Sequence, residues 1–362
     1  MPGSDLLEAV PEQGEAKRLL RAALDDGPAH AYLFHGPPGV GKRRAARAFA
    51  AALIEEDDRV GRATHPDLYV LRPLGDQIRI DDIRALRHDL HMRPYEAKRR
   101  VYLVLSAELM NDEAADALLK DLEEPPAYAV LVLVADDVGP LSETIRSRCQ
   151  DVPFTRLSER AIREQIVERA PGLDATEATA LARVSGGRLD RAEQLLDPAA
   201  TRRREKLIEA ARGVYADVEF DPTEATRSLL EGAKERGEEA KAQAREELEG
   251  LELPAREADQ RLRRAQRGAE REHLLQALEE LAAWYRDLVA VAVGAPEVAM
   301  HYDRLDVLRK DGVKERMLGA ERAAELVRET WRRFEEFNIS PALAFEALFV
   351  KLRRELAGAV QG

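Results

Sequence analysis

The chain has 362 residues, enough for two or three domains of roughly 150 residues each, and it carries 56 Lys and Arg against 68 Asp and Glu, a net charge of −12. Apolar residues make up 45% and aromatics only 5%, the profile of a helix-rich globular protein with small-residue packing rather than an all-β fold. The single cysteine, Cys149, excludes an internal disulfide framework and a cysteine-based zinc module. The segment Met1–Val10 includes Asp5 and Glu8 and has no long apolar run, and no apolar stretch of about 18 residues occurs anywhere. Neither a signal peptide nor a membrane span is expected, and a cytoplasmic protein is.

The first 155 residues alternate strand and helix signals. Ala31–His35 is a short apolar run that ends at a Gly-Pro-Pro-Gly turn. Asp67–Leu71, Val101–Leu105 and Val130–Val134 are three more runs, and Val152–Phe154 is a candidate fifth. They are β-branched or aliphatic and too short for helices, which predicts buried parallel strands. Between them the spacing predicts helices over Lys42–Ile54, over Asp81–His91 with Ile83, Leu86 and Leu90 on one face, and over Asn111–Leu122, ending before Pro125-Pro126. Strands and helices joined by right-handed crossovers predict a three-layer α/β domain over residues 1–156.

Strand signals stop after about residue 157. Short helices broken at Pro171-Gly172 and Gly186-Gly187 predict a small helical domain over residues 157–205, and residues 206–362 read as all-α. Within 231–270, 20 of 40 residues are charged, with Pro254 as the one clear break. The segment of about 222–272 therefore reads as a solvated helical hairpin, with a partner-binding arm as the alternative. Leu274, Leu278, Leu281, Tyr285, Leu288 and Ala292 then repeat at the spacing of a packed helix seam. Two more apolar faces follow. One lies on a helix from about Ala320 to Phe337, through Ala323, Val327, Thr330 and Phe334; the other starts near Pro341 and carries Phe345, Leu348 and Leu352.

The chemistry-bearing motif is Gly36-Pro-Pro-Gly39-Val-Gly41-Lys42-Arg43, placed between a predicted strand and a predicted helix. Such glycines let backbone N–H groups curl around an anion, the helix N-terminus adds its dipole, and Lys42 adds a point charge. Both residues that hold Mg²⁺ in a P-loop ATPase are missing. Arg43 replaces the hydroxyl residue, and the third strand runs into Ser106-Ala107, leaving Glu108 as the first acid. Glu108 is expected to start a turn and point elsewhere. The paired losses predict a site that does not hydrolyse nucleotide, with residual binding through Lys42 left open. Downstream, Thr144-Ile-Arg146-Ser147-Arg148-Cys149-Gln150 reads either as a surface loop or as an arginine presented to a neighbour's nucleotide.

The runs His30–Lys42, His65-Pro-Asp67, Ala117-Leu-Leu-Lys-Asp-Leu-Glu-Glu-Pro-Pro126 and Thr144–Gln150 together resemble, in order and spacing, the delta-prime family of bacterial DNA polymerase III clamp-loader subunits. The resemblance covers about residues 13–155. It implies α/β followed by all-α: an AAA+ P-loop parallel-sheet core, a small helical lid, and a C-terminal helical collar domain bearing the charged extension. It also implies a place in the DNA polymerase III nucleotidyltransferase complex, without intrinsic ATPase or polymerase chemistry. The implied partners are gamma/tau-type ATPase subunits, a delta subunit, the sliding clamp, and primed DNA through the assembled complex, with no membrane. No cofactor is required, residual ATP or ADP at the P-loop stays open, and neither zinc nor another metal is implied.

Carried over by position, Arg148 is the arginine finger that acts in trans on ATP held by an adjacent subunit. Ser147 and Cys149 frame it as small packed residues. Gly36, Gly39, Gly41 and Lys42 are a vestigial nucleotide loop. Arg191, after Ser185-Gly-Gly, falls where the family has a second sensor arginine, and a plain helix-surface arginine is equally expected. The sequence departs from the family in having no cysteines within Glu55–Thr64, Asp116 in place of the usual Asn, and no first-sensor Thr or Ser at Ala135-Asp136. An independent P-loop ATPase or ATP-binding switch is the alternative reading.

Overall fold

The apolar runs form five short strands: β1 (Ala31–His35), β2 (Leu68–Leu71), β3 (Arg100–Leu105), β4 (Ala129–Ala135) and β5 (Gln150–Pro153). All pairings are parallel, in the order β2-β3-β4-β1-β5. The computed structural model describes residues 7, 10–56, 58–61, 64–73, 77–248, 255–336 and 339–357. The chain divides into two units: Met1–Gln165 with Gly187–Arg191, and Ile166–Gly186 with Ala192–Gly362.

In the first unit, helices α1 (Gly14–Asp26), α2 (Lys42–Ile54), α3 (Ile80–Leu90), α4 (Asp112–Glu123) and the single turn α5 (Glu143–Arg146) connect the strands. Val101–Leu105 of β3 and all of β4 are continuous apolar runs because helices cover both sheet faces there, whereas β5 begins with the exposed Gln150 and Asp151. Val101, Leu103 and Leu105 of β3 point into one core with Leu20 and Phe49 from α1 and α2. Tyr102 and Val104 alternate into a second core with Ile83, Leu86 and Leu118 from α3 and α4. The predicted three-layer α/β core is therefore present. Asn111 caps α4 by accepting the Ala114 N–H at 3.0 Å, and the helix stops two residues before Pro125.

The second unit is helical. It contains α7 (Ala175–Val184), α9 (Pro198–Ala216), α10 (Pro222–Leu248), α11 (Ala255–Ala292), α12 (Leu305–Asp311), α13 (Lys314–Glu336) and α14 (Pro341–Ala357), while α6 (Glu159–Arg169) and α8 (Leu189–Leu195) each have residues in both units. The charged stretch forms α10 and the first part of α11, which pack on each other. Leu274, Leu278, Leu281, Tyr285 and Leu288 are buried as the seam predicts, and so is Trp284. Ala292 is only half-buried at the end of α11. The next helix starts at Lys314 rather than Ala320, because its first turn is largely exposed and carries no apolar face to announce it. Pro254 and Phe337 lie outside the described residues.

A buried ionic network ties this unit together. His301 Nδ1 lies 2.8 Å from Asp287 Oδ2, and its Nε2 lies 3.0 Å from Glu280 Oε1. Arg204 donates to Glu280 at 2.6 Å and to both oxygens of Asp303. Trp284 meets the His301 ring edge-on at 5.2 Å.

Candidate functional site

The glycine loop leaves the C-terminal end of β1, where parallel α/β sheets bind ligands. Gly36 has φ +135°, and a Cβ there would come within 2.1 Å of the Phe154 carbonyl oxygen. Gly39 has φ +72°, and a Cβ would fall 1.8 Å from Asp190 Oδ1. Both positions need glycine for conformation and for space. Gly41 caps α2. The Leu189 N–H donates to the Gly39 carbonyl at 2.7 Å, so the start of α8 closes over the loop. Arg191 is buried two residues further on.

Lys42 is turned inward and only 3% exposed. Its Nζ donates to the Gly36 and Pro37 carbonyls, each at 2.5 Å, and pairs with Asp136 Oδ1 at 2.7 Å. An ammonium has three N–H donors, and these three acceptors match them. Burial lowers the Lys42 pKa, with Asp136 opposing the shift. Asp136 follows β4, the strand paired with β1.

Arg43 extends to the C-terminal end of β3, where its Nη2 donates to Ser106 Oγ at 3.0 Å. The two positions that jointly hold Mg²⁺ in a P-loop ATPase are thus bridged by a guanidinium–hydroxyl hydrogen bond. Glu108 does begin a turn, Ala107–Leu109, but its side chain does not point elsewhere. It is half-buried within electrostatic reach of Lys42 and Asp136, and burial, aided by Asp136, raises its pKa. The tight turn after β3, with Ser106 at φ +57°, folds the chain back far enough for this.

Arg148 lies at the other end of the sheet. It precedes β5, whereas the P-loop follows β1, its parallel neighbour. Its Nη2 donates to Glu123 Oε1 at 2.5 Å and its Nη1 to the Thr144 carbonyl at 2.9 Å. Its two neighbours, expected to be small packed residues, differ in burial. Cys149 packs on the second core, and burial, with Asp151 adding to it, pushes its thiol up to about 12, so it is a protonated, poorly nucleophilic thiol at neutral pH. Ser147 is exposed rather than packed, because it ends the one-turn helix and its hydroxyl donates back to the Thr144 carbonyl at 3.1 Å.

The His65-Pro-Asp67 run is a structural latch. The fully buried Asp67 carboxylate accepts the N–H groups of Tyr95, Glu96 and Ala97 at 2.7, 2.8 and 2.8 Å, with Arg100 at 4.0 Å. Burial alone would raise its pKa, but these donors outweigh burial and hold it below the usual carboxylate range. Nearby, Glu56, His65 and Glu96 converge, with ligand atoms within 4.8 Å of one another. The cation among them is Arg59, which bonds both carboxylates.

Residues 12–158 match the family model described as DNA polymerase III, delta subunit. The DNA polymerase III delta' subunit of Bacillus subtilis is 33% identical over 165 residues, covering 42% of this chain and 50% of that protein. The Pseudomonas aeruginosa delta' subunit is 33% identical over 199 residues, covering 51% of this chain and 61% of that protein. The B. subtilis tau subunit is 32% identical over 167 residues, covering 43% and 30%. The match thus spans about half of each delta' relative. Among solved structures, a gamma-subunit-related protein of Thermotoga maritima superposes with a TM-score of 0.47 at 18% identity, covering 94% of this chain and 99% of that one. Among the described residues, no helix is long and apolar enough to cross a membrane.

The sheet order and the glycine loop define a P-loop α/β domain followed by a helical region. Over residues 12–158 the chain is similar, more particularly, to the family described as DNA polymerase III, delta subunit.

Proposed function

We propose that this chain is a non-hydrolysing subunit of a bacterial clamp loader and that it supplies Arg148 in trans to ATP bound by a neighbouring gamma/tau-type ATPase subunit. In this reading residues 157–205 act as the lid and 206–362 as the oligomerising collar. A delta subunit, the sliding clamp and primed DNA are the further partners of the assembled complex.

The observation that carries the non-hydrolysing half is the Arg43–Ser106 hydrogen bond at 3.0 Å. A fixed cation spans the place where a P-loop ATPase seats Mg²⁺: Arg43 stands in place of the hydroxyl residue after the lysine, and it takes up the Ser106 hydroxyl that stands where the third strand usually ends in a carboxylate. Lys42 supports the same reading, since its donors already have protein acceptors.

Topology supports the trans half. β5 has four residues, about 13 Å at 3.3 Å per residue, and Arg148 precedes it while the P-loop follows its neighbour β1. The guanidinium is therefore presented at the sheet edge opposite its own P-loop, at 32% side-chain exposure.

The test is reconstitution with the cognate ATPase and delta subunits. Arg148→Ala is expected to assemble normally and to lose about 10³–10⁵ in hydrolysis at the adjoining site, while the purified chain alone shows no Mg²⁺-dependent turnover. Turnover by the isolated chain that disappears in Lys42→Ala would establish the alternative, an independent P-loop ATPase.

A further inference from the structure

The Leu122-Glu123-Glu124-Pro125-Pro126 run has no part in the function proposed so far. Leu122 is buried in the second core and fixes the end of α4, and Pro125 prevents continuation of the helix. Glu123, the last residue of α4, is thereby held ahead of β4, at the same sheet edge where Arg148 stands ahead of β5. The two meet at 2.5 Å.

Arg148 is anchored by Glu123 through Nη2 and by the Thr144 carbonyl through Nη1, with a longer contact of 3.5 Å from Nη1 to the Ser147 hydroxyl. A guanidinium has five N–H donors, so Nε and one hydrogen on Nη2 stay available for an incoming acceptor. Arg146, two residues earlier, is also exposed, yet its side chain has no hydrogen-bond or ionic partner among the described residues. The restraint is specific to one of the two arginines.

We infer that Glu123 is a positioning residue for Arg148. It fixes the guanidinium, in the free subunit, in the orientation that the neighbour's γ-phosphate meets on assembly. This rests on the arginine-finger reading above. An unrestrained arginine loses rotamer freedom when it engages phosphate; one already held by a carboxylate and a carbonyl has lost it beforehand, which is the preorganisation that lowers a barrier. The pair is half-exposed, with Glu123 at 50%. Exposed pairs contribute little to folding, so its loss is felt where Arg148 acts rather than in stability.

The experiment uses the full chain in the reconstituted loader, with the P-loop lysines of the non-adjoining ATPase subunits disabled so that only the neighbouring site turns over. Glu123→Ala is expected to lower kcat about tenfold with the KM for ATP unchanged. Glu123→Gln keeps an acceptor oxygen and should recover most of that loss. Arg148→Ala should lose far more, and Glu123→Ala combined with it should lose nothing further, because Glu123 acts only through Arg148. Wild-type or raised kcat in Glu123→Ala overturns the assignment, and so does a further loss in the double variant. Unchanged turnover in Arg148→Ala instead removes the finger reading itself, and this assignment with it.

Discussion

Lys42→Ala separates a structural lysine from a phosphate-binding one. In this fold the ammonium is buried and bound by two loop carbonyls and Asp136. Hydrogen bonds to a charged group contribute about 1.5–3 kcal/mol each. The sum is reduced because Asp136, 44% exposed, recovers water when its partner is removed, and because the cost of burying Lys42 is recovered too. Removing one partner of a well-buried pair costs about 3–5 kcal/mol, so about 3 kcal/mol is expected here. For a unit of this size that lowers Tm by about 6–12 °C. The assay is thermal and urea unfolding of the full chain, with and without Mg-ATP, alongside Lys42→Met, which keeps volume without charge. The reasoning is refuted if both variants keep the wild-type midpoint without nucleotide and lose only an ATP-dependent rise. A nucleotide at about 100 times its Kd would produce such a rise, about 2.7 kcal/mol, and Lys42 would then be a phosphate ligand.

Three other perturbations follow from the packing. His301 is fully buried between Glu280 and Asp287. Burial alone would lower its pKa, but the two carboxylates outweigh burial and the net shift is upward. Its contribution is complete below the unfolded value of about 6.5 and is lost as pH rises through the folded pKa, so the helical unit should weaken above neutrality, and His301→Gln should lower its urea midpoint at pH 6 and flatten that slope. Asp67→Ala strands three N–H groups of the segment Tyr95–Ala97; a loss of about 2–4 kcal/mol and faster amide exchange at those residues are expected, whereas unchanged exchange refutes the latch. Gly36→Ala must displace the Phe154 carbonyl, 2.1 Å from the new Cβ, and should reduce the soluble yield and the unfolding midpoint of the chain.

The central strands β3 and β4 were legible because they are buried on both faces, which leaves unbroken apolar runs such as Val130–Val134, whereas β5 begins with the exposed Gln150 and Asp151 and showed only Val152–Phe154. The start of α13 was not, since its first turn is exposed and follows no apolar period. The glycine loop announced itself by spacing, but its inner partner did not. Asp136 lies 94 positions from Lys42 in the chain and reaches it only because β4 pairs with β1. The signal was present in the carboxylate that ends the fourth strand, and strand order was needed to use it. Asp67 was visible only as part of a family motif, because the N–H groups it holds belong to a loop about 28 residues away with no side-chain signature. Glu123 and Arg148 stand in separate motifs whose junction requires knowing that both precede parallel strands.

That shared sheet edge also changes what the acidity of the chain means. Residues 101–150 hold ten acidic residues and only Lys120, Arg146 and Arg148 as bases, and a net acidic surface opposes direct contact with nucleic-acid phosphate. An arginine meant for a phosphate on another subunit faces the same surroundings, where nearby carboxylates compete for it. With Arg148 fixed on one of them and on a backbone carbonyl, the competition has a single geometry, and the remaining N–H groups keep a set direction. In the proposed reading the P-loop at the opposite edge bears on fold stability, and the Glu123–Arg148 edge bears on the neighbour's chemistry. Substitutions at Lys42 should therefore move unfolding midpoints with little effect on turnover per assembled loader, and substitutions at Arg148 should do the reverse; a variant at either edge that moved both equally would show that the two ends of the sheet are coupled.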